Sequence, residues 1–119
     1  MNFVNMGNVW ITSDTHYSHK NICRGVTDWR MPDGSIPISQ TRDFPTIQKM
    51  NDAIVNNINN VVMQDDILIH LGDWSFGGFQ SIPEFMGRLV CKNVYLFLWI
   101  KKMTAIIMKG FNFIYIIIL

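Results

Sequence analysis

The stretch Trp10–His16 reads WITSDTH, an apolar run closed by an aspartate and a histidine two positions apart. A second run, Ile67–Asp73, reads ILIHLGD and closes in glycine and aspartate. Carboxylate oxygens and imidazole nitrogens are donors for Mn²⁺, Fe²⁺, Zn²⁺ or Ni²⁺, and spacing alone does not choose among these ions. If the two runs are neighbouring parallel strands, Asp14, His16 and Asp73 emerge side by side past the carboxyl ends, where open α/β sheets bind their ligands. Residues two apart in extended chain point the same way. Asp14 and His16 are therefore expected to share one ion, with Asp73 bridging it to a second. Gly72 lets the backbone turn sharply just before Asp73.

Each of these residues also has a plainer reading. Asp14 and His16 can be a helix cap and a surface histidine. His19, three positions on, either faces phosphate in the site or is a solvated histidine. His70 lies inside an apolar strand and reads as a core histidine rather than a ligand. Asp65 and Asp66 read as a solvated turn before the second strand. Lys20, Asn21 and Arg24 could touch phosphate, but lone surface residues are the default. Trp10, Trp29, Trp74 and Trp99 read as packing rather than stacking platforms.

The elements that must position this chemistry follow from the apolar pattern. Val9–Ser13 is a short apolar run and a candidate strand. The stretch SHKNI predicts a brief helix capped by Ser18. Residues 24–45 carry Gly25, Pro32, Gly34, Pro37 and Pro45 and predict a long loop. Pro45 then suits the first turn of a helix. Its apolar face would be Ile47, Met50, Ile54, Ile58 and Val61, spaced three or four apart. Asn56, Asn57, Asn59 and Asn60 are poor helix formers, so this end is expected to fray. Ile67–Leu71 predicts a second strand, Ile82–Leu89 a short helix starting near Ser81, and Val94–Leu98 a third strand. Strand, helix, strand, helix, strand, with strands apolar on both faces, is the pattern of a mostly parallel sheet covered by helices.

Composition sets the outer bounds. The 119 residues carry a net charge of +1 with scattered Lys and Arg, so no basic stripe marks a nucleic-acid interface. Cys23 and Cys91 stand far apart with no CxxC pair, which predicts two free thiols in a reducing compartment and a cytoplasmic location. The N-terminal MNFVNMGNVW lacks the basic and long apolar regions of a signal peptide. Residues 94–119 are very apolar and finish in FNFIYIIIL. A spanning helix needs ~20 apolar residues, and Lys101, Lys102 and Lys109 interrupt this stretch, so no clear membrane span is expected. The uncharged, strand-forming end predicts an aggregation hazard and self-association through an unfinished sheet edge.

With these residues in view, SDTHYSHKNI and HLGDW resemble the first two motifs of the calcineurin-like metallophosphoesterases, which read D-x-H and then G-D. The form with HKNI after the histidine is most similar to the small phosphoesterases common in phages and bacteria. The similarity runs in order and spacing from residue 8 to about residue 98. It implies the N-terminal half of an α/β/β/α sandwich and a dinuclear metal site hydrolysing phosphomonoester or phosphodiester bonds. Asp14 and His16 would hold the first ion and Asp73 would bridge both. Ions ~3.5–4 Å apart would stabilise the attacking and leaving oxygens of an in-line displacement. The partner implied is a phosphate-ester substrate, with nucleic acid entering only as such a substrate.

The chain departs from the family pattern after the third strand. The family continues with G-N-H-D or G-N-H-E, a lone histidine and G-H-x-H; here the sequence is WIKKMTAII, and no histidine follows His70. Residues 1–98 are therefore read as a partial phosphoesterase domain and 99–119 as an atypical apolar tail, the expected result of a frameshift or truncation. A chain with so few of the family's ligands is expected to turn over slowly even with saturating Mn²⁺. Two other classes stay open: a non-catalytic binding or regulatory fragment, and a small membrane-associated protein anchored by its apolar end.

Overall fold

The computed structural model describes residues 7–100, 103–109 and 114–117, with side chains for 7–98 and Lys109. Within them the chain is mixed α/β. The order is β1 (Val9–Thr12), α1 (Ile47–Val61), β2 (Ile67–His70), α2 (Ser81–Arg88), β3 (Asn93–Ile100), β4 (Met103–Met108) and β5 (Ile114–Ile117). All five strands form one sheet in sequence order. β1, β2 and β3 are parallel, with Trp10 opposite Leu68 and Leu68 opposite Val94. β4 and β5 then add in antiparallel fashion. The expected strand–helix–strand–helix–strand core is present. β3 runs across the composition change at residues 98 and 99, and β4 and β5 lie within the apolar tail. No helix among the described residues is long and apolar enough to cross a membrane.

Strands in sequence order constrain where the helices go. Crossovers between parallel strands are right-handed as a rule, and two that step the same way along a sheet put both helices on one face. The core sits between that face and the helices: Leu68, Val94 and Leu96 from the strands meet Val55 of α1 and Ile82, Phe85 and Met86 of α2. Among the described residues, no helix covers the opposite face. Val9 and Ile11 are exposed there, and Ile67, Ile69, Tyr95 and Phe97 are half-buried. The expected parallel sheet covered by helices is present, with both helices on one face, as a progressive strand order dictates.

Local boundaries also shift for identifiable reasons. Thr46, not a residue of the Pro45 turn, caps α1: its hydroxyl accepts the Lys49 amide at 3.1 Å, which leaves Pro45 outside the helix. The buried residues of α1 are Met50, Asn51 and Val55, with Ile54 and Ile58 partly buried, while Val61 is exposed. The helix runs through its asparagines to Val61. The Asn59 amide donates to the Arg88 carbonyl at 3.0 Å, and its oxygen accepts the Val90 amide at 2.9 Å. The brief helix is a 3₁₀ turn at Lys20–Ile22 preceded by His19, not a helix capped by Ser18. Ser18 is held elsewhere: its amide donates to Asn51 Oδ1 at 2.8 Å, and its hydroxyl accepts from Asn51 Nδ2 at 3.1 Å.

Asp66 is not a solvated turn residue. It is buried, and it accepts hydrogen bonds from the amides of Asn8 (2.7 Å) and Met63 (2.8 Å) and from the Trp10 indole (2.9 Å). These donors, the Met63 amide foremost, hold its carboxyl below the usual range. Cys23 and Cys91 are free and buried.

Candidate metal centre

The two motif loops leave the ends of β1 and β2 and stay hydrogen-bonded beyond them. The amides of Asp14, His16 and Tyr17 donate to the carbonyls of Gly72, Asp73 and Trp74 at 3.1, 2.9 and 2.9 Å. The Phe76 amide returns a bond to the Tyr17 carbonyl at 2.7 Å. Parallel pairing thus continues past the strands and carries the motif residues with it. The backbone between these bonds is not extended. Asp14, His16 and Ser18 have φ of 57°, 48° and 64°, Asp73 has 51°, and Gly72 has 124°. The expectation that Asp14 and His16 align through extended chain is therefore corrected: alternate left-handed residues turn both side chains to one side. Among the described residues, every non-glycine residue with positive φ lies in these two loops. Such conformations cost roughly 1–3 kcal/mol each and concentrate where surrounding structure enforces them, often at functional sites.

Asp14, His16 and Asp73 meet as a result. One donor atom from each lies within 4.8 Å of the other two. His16 Nε2 is 3.6 Å from Asp14 Oδ1 and 3.9 Å from Asp73 Oδ2. Both carboxylates are well exposed and His16 is half-buried. The hydrogen bond from the Ser13 hydroxyl, aided by His16, holds the Asp14 carboxyl below its ordinary value, so it is an anion at neutral pH. Two oxygen donors and one imidazole nitrogen converging on a small volume are a donor set for a divalent first-row cation. Two nearby anionic carboxylates also give that volume a charge a cation would neutralise. These residues fit part of a metal shell.

His19 does not point into this volume. Its Nδ1 lies 3.1 Å from Nδ1 of His16, and its ring stacks on Phe76 with centroids 4.4 Å apart. A metal-ligating histidine usually donates its other ring N–H to a neighbouring acceptor, which fixes its orientation. His19 is placed to be that acceptor. Burial, followed by the nearby His16 and Arg42, lowers its pKa and favours the neutral ring this role needs.

Two supporting residues escape sequence reasoning. Arg42, from the long loop, donates to the Thr15 carbonyl at 2.5 Å and to the Asp14 carbonyl at 2.6 Å. It ties down the backbone of the D-x-H loop from 27 and 28 residues away, which no local pattern reveals. His70, at the end of β2, is fully buried. The Thr15 hydroxyl donates to the Trp74 carbonyl at 2.8 Å, so at 3.0 Å from His70 Nε2 it must accept. The proton is therefore on Nε2, and Nδ1 accepts the Gly72 amide at 3.2 Å. One neutral ring thus links both loops. Burial lowers its pKa to about 4. His70 is a satisfied core histidine, as its strand position suggests, and it also braces the site. Lys20 and Asn21 stay on the exposed surface, and Arg24 pairs with Asp43 at 3.7 Å.

No known family profile and no solved structure matches this chain. A relative in Methanocaldococcus jannaschii, an uncharacterized protein, is 31% identical over 70 residues, which is 59% of this chain. The match covers 32% of that relative, so the chain spans about a third of its length.

Proposed function

We propose that Asp14, His16 and Asp73 bind one divalent cation and that the chain carries the first portion of a metal-dependent phosphoesterase site. The observation that supports this reading best is the convergence of three donor atoms within 4.8 Å on loops whose motif residues adopt left-handed backbone. The order of D-x-H and G-D after consecutive parallel strands is what the resemblance to calcineurin-like phosphoesterases requires, and the finer fold assignment, the N-terminal half of an α/β/β/α sandwich, rests on that resemblance. Bound there, the cation would lower the pKa of a water and polarise a phosphoryl oxygen. The protein's own groups set up the rest. Asp14 and Asp73 supply anionic oxygens, His16 presents Nε2 to the same volume, and His19 holds the opposite edge of the His16 ring. Arg42 and His70 fix the two loops relative to one another.

Three donors complete neither a first coordination shell nor a second metal position, so the expected chemistry is slow. Hydrolysis of p-nitrophenyl phosphate should be detectable with Mn²⁺, abolished by EDTA, and reduced at least ~10-fold in Asp14→Ala, the usual scale for losing a group that supports metal activity. Hydrolysis that persists in EDTA, or that is equal in Asp14→Ala, would contradict the assignment. Cytoplasmic location follows as part of the same proposal, from two free thiols.

A further inference from the structure

The loop that follows Asp73 reads WSFGGF and places three aromatic residues, Trp74, Phe76 and Phe79, within six positions. Phe76 is covered on one side by His19. Phe79 is exposed, with 62% of its surface open to solvent. It is one wall of an open cavity of about 240 Å³ lined also by Asp73, Trp74, Ile82, Phe97 and Leu98. Asp73 is its one charged wall among the described residues, and Ser75 adds a hydroxyl that is already hydrogen-bonded to Ser81. The Trp74 wall is firmly set: its carbonyl accepts both the Tyr17 amide and the Thr15 hydroxyl, and its ring packs edge-on to Tyr17 and His70.

From the shared position of Asp73 we infer that this cavity receives the aromatic group of a phosphate ester whose phosphate sits at Asp14, His16 and Asp73. The inference rests on the phosphoesterase reading and deepens it by naming the substrate class. Asp73 belongs both to the donor cluster and to the cavity wall. A phosphate held at the cluster therefore lies beside the cavity, within reach of its ester substituent. The size matches a single ring, since an apolar cavity of about 150 Å³ suffices for benzene. The walls are aromatic and aliphatic, which suits a planar uncharged group through stacking and edge contacts. A negatively charged substituent is disfavoured by Asp73, and a simple alkyl ester would leave the aromatic walls unmatched.

The test is calorimetry on the full chain saturated with Mn²⁺, titrated with phenyl phosphate, methyl phosphate and inorganic phosphate. Phenyl phosphate should bind ~10-fold or more tightly than methyl phosphate, the scale of burying one ring. Phe79→Ala, at an exposed position, and Phe97→Ala, at a half-buried position outside the core cluster, each remove an aromatic wall and should each reduce that preference to within ~2-fold without weakening methyl phosphate. Equal binding of the two esters by the unaltered chain, or a preference that survives both substitutions, would overturn the inference. If Mn²⁺ itself does not bind, the metal reading fails. The cavity is then judged by phenol alone: amide NMR shifts confined to residues 74–82 retain it as an aromatic site, and their absence removes it.

Discussion

At the scale of single residues, the chemistry depends on groups whose ionisation is set by their surroundings. His70 is the clearest case. Its folded pKa is about 4 against an ordinary 6.5, because burial disfavours the charged ring. The fold binds neutral His70, so its contribution is fully present above pH 6.5 and is lost progressively as pH falls toward 4. The whole effect is about 3 kcal/mol, since each tenfold change in proton affinity corresponds to ~1.4 kcal/mol. Chemical denaturation of the metal-free chain should show stability falling across that window, and His70→Gln should flatten the fall while lowering stability at pH 7. A curve unchanged by the substitution would show that His70 is not the titrating group. Asp14, His16 and Asp73 are legible from residue type and spacing at strand ends. The bracing role of His70 is not, because it depends on a Thr15 hydroxyl that donates to a carbonyl 59 residues away and accepts from a ring 55 residues away. Arg42 is hidden for the same reason: its partners are backbone carbonyls, which carry no sequence signature.

At the scale of elements, apolar periodicity locates both helices and the three parallel strands, and misses what side-chain hydrogen bonds do at their ends. The run of asparagines predicts a weak end to α1, judged by intrinsic propensity. Tertiary contacts override it, since Asn59 satisfies the last carbonyl of α2 and the amide of Val90 together. Arg88 of α2 also reaches Asp52 of α1 at 2.5 Å. These contacts tie α1 to α2 and to the segment just after it. Asn59→Ala removes two hydrogen bonds at once and should destabilise the chain by roughly 1–3 kcal/mol. Urea unfolding should register this as a lower midpoint with an unchanged slope. A midpoint equal to that of the unaltered chain would mean that Asn59 adds nothing to an α1–α2 connection held by packing and the Arg88–Asp52 pair. Thr46 displaces Pro45 as the start of α1 because a side-chain acceptor for a free amide outweighs a preset φ angle.

At the scale of the molecule, the strand order decides what is covered and what is open. The steady progression from β1 to β3 puts both helices on one face of the sheet. The open face carries Val9 and Ile11 exposed beside half-buried Ile67 and Ile69. The same progression places the ends of β1 and β2 side by side, and this adjacency is what makes a site from residues 59 positions apart, Asp14 and Asp73. The central claim is that these two loops hold a divalent cation between them. Calorimetry with Mn²⁺ tests it most directly, comparing the unaltered chain with Asp73→Ala. The account predicts one saturable site per chain, weakened at least ~10-fold by the loss of an anionic donor. No binding by the unaltered chain, or equal affinity in Asp73→Ala, would contradict it.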